Sequence, residues 1–211
     1  MNKKIAVLFL MIVLSFSSFA QRKEKKLVRE AFDNYKSAIL NDKGEEAVNY
    51  VDSRTISYYS DILDKTKNAD SLALDSLDVM DKLMVLSIRH RTSKEKILSF
   101  DGKALLIYAI KEGMISKSSV ANSKIGNVES DGNFAKGQFI SNGQKAPFYF
   151  HFYKENKAWK VDLTSIFPVA RAAFRQMIDE SGAEENKYLF MLLEITTGKK
   201  PKNEIWNSVQ K

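Results

Sequence analysis

Apolar residues recur at helical spacing through the first half of the chain, alternate strictly through a middle stretch, and return to helical spacing towards the end. From Lys23 to Asn41, Leu27, Val28, Ala31, Tyr35, Ala38 and Ile39 fall on one stripe and predict a long first helix. "NDKG" (41–44) breaks it, and "EEAVNYV" (45–51) predicts a second, short helix. "SRTISYYSDIL" (53–63) continues helically, with Asp52 or Ser53 able to cap its start. A third block, 71–90, carries Leu74, Leu77, Met80, Leu83, Met84 and Ile88 on a broad apolar face. "TSKE" (92–95) fits a capping box with Thr92 as the cap and Glu95 reaching back. Asp101 caps one more helix, "GKALLIYAIKE", closed by Gly113; its run of apolar residues also fits a buried strand.

From Ser123 the period becomes two. Asp131-Gly132 and Asn142-Gly143 mark hairpin tips, because such turns need positive φ that Gly and Asn tolerate, and "KENK" (154–157) supplies a four-residue turn. Four antiparallel strands follow, over about 123–129, 134–140, 145–153 and 158–163. These turns place Phe152 opposite Trp159, Phe150 opposite Val161, and Gly126 opposite Gly137. Phe148, Phe150, Phe152 and Trp159 then form the core face, with a shallow place at the glycines. The other face carries Asn127, Lys136, Tyr149 and Asp162 in one row and Glu129, Phe134, His151 and Lys160 in the next.

After the meander, "SIFPVARAAFRQMIDESG" has Pro168 in a helical first turn and Gly182 past its end. "EENKYLFMLLEITTG" predicts another helix, and Leu189, Phe190, Leu192, Leu193 and Trp206 demand a partner surface. The fold class is α+β: N-terminal helices, a four-stranded antiparallel meander, and C-terminal helices packed on the sheet. Residues 21–211 are expected to form a single domain.

Composition adds where the chain works. "MNKK", the apolar run "IAVLFLMIVL" and the small-residue exit "SFSSFA" make the three parts of a secretory signal peptide, with cleavage after Ala20. The expected location is the periplasm or the outside of the cell, with no transmembrane segment after cleavage, since the run is too short to span a bilayer. The chain has no cysteine, which removes disulfides, thiol catalysis, cysteine-held zinc and a lipid anchor on a cysteine. Losing the leader's two lysines lowers the net charge from +7 to +5. Basic residues are mixed with acids, and the small clusters "RKEKK" (22–26) and "GKKPK" (198–202) lie beside helix ends. Nothing there resembles a nucleic-acid stripe.

Two stretches resemble the nuclear-transport-factor-2-like (NTF2-like) superfamily of cystatin-like α+β domains. One is the opening "LVREAFDNYKSAILNDKGEEAVNYVDSRTISYY"; the other is the closing hairpin "FYFHFYKENKAWKVDL". The resemblance covers about a third of the chain, and the helical stretch 54–112 and the helices after the meander depart from it. It implies a sheet curved round a helix, a ligand-sized cavity, and functions from isomerase and dehydratase to non-catalytic binding.

Candidate chemistry is sparse. His151 could act as acid or base with Asp162, although a polar sheet face explains both. His90, in "IRHRTS", reads as a helix-end residue. Tyr149 and Tyr153, and Tyr58 and Tyr59, could flank a ligand, since tyrosine offers apolar area with a polar tip. Asp70, Asp75, Asp78 and Asp81 recur along the third helical block, where a solvated face is the ordinary reading and a cation site the sharper one. No HExxH, GxSxG or calcium-loop pattern occurs, and no metal or cofactor is expected. The chain reads as a non-enzymatic binding protein for an unknown protein or small ligand of the cell envelope. The alternatives are a small-molecule lyase, isomerase or hydrolase of NTF2-like type, or a binder of membrane or polysaccharide surfaces. Protein exported by a bacterial host should begin at Gln21 by N-terminal sequencing; an intact Met1 on exported protein would remove the leader.

Overall fold

The computed structural model describes residues 3–210, with side chains from Gln21 onward; the leader read into residues 1–20 lies outside the residues described in full. Helices α1 (Lys3–Leu40), α2 (Gly44–Ala47), α3 (Ser53–Asn68), α4 (Ser71–Asp75), α5 (Val79–Arg91), α6 (Lys94–Ser99), α7 (Gly102–Lys111) and α8 (Ser118–Ala121) come first. Strands β1 (Ser123–Asp131), β2 (Phe134–Ser141), β3 (Gln144–Glu155) and β4 (Ala158–Asp162) follow. A 3-10 turn (Leu163–Ile166), α9 (Phe167–Ser181), α10 (Glu185–Thr197) and a second 3-10 turn (Asn203–Trp206) come after the sheet. The fold is α+β, with helices on both sides of a four-stranded antiparallel sheet in the chain order. Contacts divide the chain into two compact units: residues up to Asp52 with Ile115–Asp162, and Ser53–Met114 with Leu163–Lys211.

The first unit is the meander, in the order β1-β2-β3-β4, with α1 lying on its aromatic face. Val28, Ala31, Phe32, Tyr35, Ala38 and Ile39 are buried, at the spacing of one helical stripe. Phe32 sits at the centre, with ring centroids 5.5 Å from Phe150 and 6.2 Å from Phe139. Polar contacts fix the helix along the sheet. Arg29 Nε donates to Gly126 O at 3.0 Å and Lys36 Nζ to Ser123 O at 2.7 Å. Glu24 accepts from Lys154 Nζ at 2.8 Å and Trp159 Nε1 at 2.7 Å, and the lysine's hydrogen bond holds the Glu24 carboxyl below its usual range. The expected cover for the Phe face was the C-terminal helices; α1 supplies it, and α9 and α10 pack on α5.

Each hairpin turn has two residues, and two of the three differ from the sequence reading. Gly132, at φ +56°, takes the first central position with Asn133 second; Asn142 (+49°) and Gly143 (+79°) form the next turn. Asn156 (+50°) and Lys157 (+66°) form the third, tighter than the four-residue turn expected. The register therefore moves by two: Val128 pairs with Gly137, Phe152 with Val161, and His151 with Asp162. An even slip keeps these side chains on their faces, but the one-residue bulge in β1 turns Gly126, expected on the core face, towards Ile140 on the other face and brings Ile125 onto the core face.

Two bulges complete the register. Ala146, Pro147 and Phe148 stand opposite Phe139 between the pairs Gln138–Tyr149 and Ile140–Lys145. Proline has no N–H to give a ladder, so a bulge is where a strand accepts it. The buried Gln138 amide serves the carbonyls this leaves, donating to Ala146 O at 2.6 Å and Phe148 O at 3.1 Å. On β1, Gly126 and Asn127 stand opposite Gln138, so Gly126 and Gly137 do not face each other. The room beside Gly137 is taken by Ile125, whose Cγ2 lies 2.5 Å from where a Cβ would stand. The outer edge of β4 is paired too: Asp52 N–H donates to Val161 O at 3.0 Å, and Val161 N–H to Tyr50 O at 2.8 Å.

The second unit is helical, with α5 at its centre. The expected single helix over 71–90 is two, because Asp70 and Asp78 each accept backbone N–H groups and start a new helix. Buried positions on α5 cover one half of its circumference and include Asp81, Lys82 and Arg89, and the other half is half-buried. Such groups must be paired to be tolerated. Asp81 accepts from Tyr58 at 2.7 Å and Lys65 at 2.8 Å, on α3, and lies 3.7 Å from Arg171 of α9. Lys82, the next residue, bonds Glu185 of α10 at 2.7 Å and Asp75 of α4 at 3.4 Å. Leu74, Val85, Leu86, Leu189 and Leu193 close the apolar core between these pairs.

Arg89 ties the unit together. Its guanidinium donates to Thr66 O at 2.9 Å, Lys65 O at 3.2 Å, Ala69 O at 2.7 Å and Ile205 O at 3.0 Å. The first three are carbonyls at and just past the C-terminus of α3, where Thr66 and Ala69 lie beyond the last intrahelical donors and Lys65 O also accepts from Ala69 N–H at 2.9 Å; the fourth belongs to the last 3-10 turn. Burial lowers the Arg89 pKa to about 10, so it stays charged at neutral pH. Arg89→Met should keep the volume and orphan the Thr66, Ala69 and Ile205 carbonyls, lowering stability by roughly 3 kcal/mol or more in a denaturant melt. A loss within the error of the melt would show that the bonds contribute nothing.

Candidate functional site

The structure sets His151 directly across from Asp162, closer than the sequence reading placed it. Their row is Glu129, Lys136, His151 and Asp162. Lys136 Nζ lies 3.0 Å from Glu129 and 5.5 Å from the centre of the Tyr149 ring. Phe134 meets the His151 ring edge-on at 5.2 Å and the Tyr153 ring at 5.3 Å. Asp162 is buried, His151 and Tyr153 are half-buried, and Tyr149 is exposed. The row combines cross-strand charge pairing with aromatic contacts on the face opposite α1, the pattern of a half-wet sheet. A groove of about 270 Å³ lies elsewhere in this unit, between α1 and the β3–β4 hairpin, lined by Asn34, Tyr50 and Trp159.

Tyr58 and Tyr59 lie in the helical unit, ring edge to ring face at 5.8 Å. Tyr59 is buried, and desolvation pushes its hydroxyl pKa up. Tyr58 packs on Phe167 at 4.7 Å and gives its proton to Asp81; burial, then that hydrogen bond, raises its pKa. Both are engaged with the packing of α3. The acidic series is likewise spent: Asp70 and Asp78 cap helices, Asp75 and Asp81 pair with cations. Among the described residues, no group of three or more histidine or acidic side chains could hold a metal.

A larger groove, of about 610 Å³, opens in the helical unit where the end of α5 meets residues 199–209. Its floor includes the buried Ile97 and Ile205. Its lining has four exposed lysines, Lys94, Lys199, Lys200 and Lys202, against one acid, Glu204. Arg89 also lines it, but its donors go to the backbone carbonyls already described. Basic segments more than a hundred residues apart thus share one concave surface. The cluster "GKKPK" was legible in the sequence; its partner segment "IRHRTSK" was not, because no periodicity links the two.

Thr92 and His90 give the groove its polar interior. The expected capping box is displaced by one residue: Ser93 Oγ accepts from Lys96 N–H at 3.4 Å, and Thr92 instead ends α5. Freed from capping, the Thr92 hydroxyl is buried without a hydrogen-bond partner, and the residue is 8 % exposed. His90 Nε2 lies 2.9 Å from Thr197 Oγ1. Thr197 is itself 2.6 Å from Leu193 O, a bond that uses its only proton, so His90 Nε2 is the donor to Thr197. Desolvation first, with Arg91 and Lys199 nearby, holds the imidazole pKa below 6.5 despite a hydrogen bond to the Lys199 backbone.

No protein-family model, curated protein or solved structure matches the chain. Among the described residues, no helix is long and apolar enough to cross a membrane.

The sign of the His90 shift gives a pH dependence. As pH falls, the unfolded chain takes up the proton first, so this residue's contribution is complete above pH 6.5 and is lost through the window below it. Melting temperature should therefore drop more between pH of about 7 and about 5 in the natural protein than in His90→Gln. Identical pH profiles for the two proteins would remove the assignment.

Proposed function

We propose that the protein is a non-enzymatic binding protein, exported to the periplasm or beyond the cell, whose ligand site is the groove at the end of α5. The observation that carries this reading is a buried hydroxyl without a partner in a concave, lysine-lined surface. Buried polar groups are ordinarily satisfied, and an exception in a groove points to a missing partner. The volume suits a small molecule or part of one. The NTF2-like resemblance belongs to this proposal for the sheet unit, where α1 lies along the aromatic face of the meander.

A second reading rests on the His151–Asp162 pairing: a lyase, isomerase or hydrolase using that pair as acid and base. The two readings separate on where a ligand binds. A fragment screen followed by amide chemical-shift mapping should give saturable shifts at His90, Thr92 and Ile205, and turnover of none of the bound compounds. Shifts confined to Tyr149, His151 and Asp162, with turnover abolished by His151→Ala, would replace the binding reading with the enzymatic one.

A further inference from the structure

We propose that the groove at the end of α5 binds a small organic phosphate, its phosphate held between Lys199 and Lys202 and its organic part lying over Ile97 and Ile205. This rests on the reading of the groove as the ligand site and adds the ligand class. Five observations favour it. The lining sets four lysines against one glutamate, which suits a group with more than one negative charge. Lys199, Lys200 and Lys202 are compact point charges suited to phosphate. The single arginine in the lining spends its planar fork on four backbone carbonyls, so the bidentate clamp that favours a carboxylate is absent among the lining residues. The Thr92 hydroxyl, buried and unpartnered, needs an acceptor, and a phosphate oxygen supplies one. Desolvation first, then Arg91 and Lys199, hold the His90 imidazole below its usual pKa, and a bound anion would act against the two cations.

The test titrates the full chain with phenyl phosphate, inorganic phosphate, benzoate and phenol at matched ionic strength, reading the His90 imidazole signals and the heat of binding. Phenyl phosphate should saturate, bind roughly tenfold more tightly than benzoate, and raise the His90 pKa. Inorganic phosphate should act at the same signals, more weakly. The double variant Lys199→Gln/Lys202→Gln should lose roughly tenfold or more in affinity with its melting temperature unchanged. Thr92→Val should bind more weakly while melting at the same or a higher temperature, since it deletes an unpaired buried hydroxyl; a merely structural threonine would not separate the two. Equal responses to phenyl phosphate and benzoate, a response matched by sodium chloride alone, or full affinity in the double variant would overturn the proposal. If phenol or benzoate saturates the groove without any preference for phosphate, the ligand class fails and the binding site stands. If no compound of any charge perturbs the groove, both fail.

Discussion

The helical unit depends on one charge placed where backbone acceptors would otherwise go unmet. Arg89 reaches the carbonyls of Lys65, Thr66 and Ala69 and that of Ile205. A helix end leaves its last carbonyls without partners, and burying them is costly unless a donor is supplied. One guanidinium meets that cost for α3 while tethering the last 3-10 turn, and the tail adds Val209 N–H, Gln210 N–H and the Ser208 hydroxyl to Lys67 O. Residues 199–209 are thus set against α5 by hydrogen bonds, which is what creates the groove. Its shape follows from the capping of another helix.

Around that tether, α5 turns adjacent residues of opposite charge to different neighbours. Asp81 holds α3 and α9, and Lys82 holds α4 and α10. Reversing either charge would set like charges against each other on two sides. Buried ionic groups of this kind fix which helices meet more than they add to stability.

The legible part of the fold was the part governed by local rules. Alternation, the Asp-Gly and Asn-Gly dipeptides and the KENK turn placed all four strands, and the α1 stripe was readable even without its central Phe32. Register was legible only modulo two, because alternation fixes the face and the turn fixes the partner. The turns centre on Gly132-Asn133 and Asn156-Lys157, so the pairs next to them slid without changing sides, while the β1 bulge moved Gly126 to the other face. The bulge at Pro147 was not foreseen in a strand read as regular over 145–153, and the Gln138 amide serves the carbonyls it leaves. The acids at 70, 75, 78 and 81 shared a helical spacing, yet two of them were helix starts, a role that spacing does not separate from a continuous face. His151 and Asp162 were visible as a pair. The lysine groove was not, because Lys94 and Lys199 meet only through tertiary packing.

The treatment of the sheet's two margins bears on how the protein behaves at high concentration. On one side, Tyr50 and Asp52 use the outward backbone groups of Val161; on the other, Arg29 and Lys36 reach carbonyls of β1 at Gly126 and Ser123. A margin already engaged by its own chain offers a poor template for a strand from another molecule.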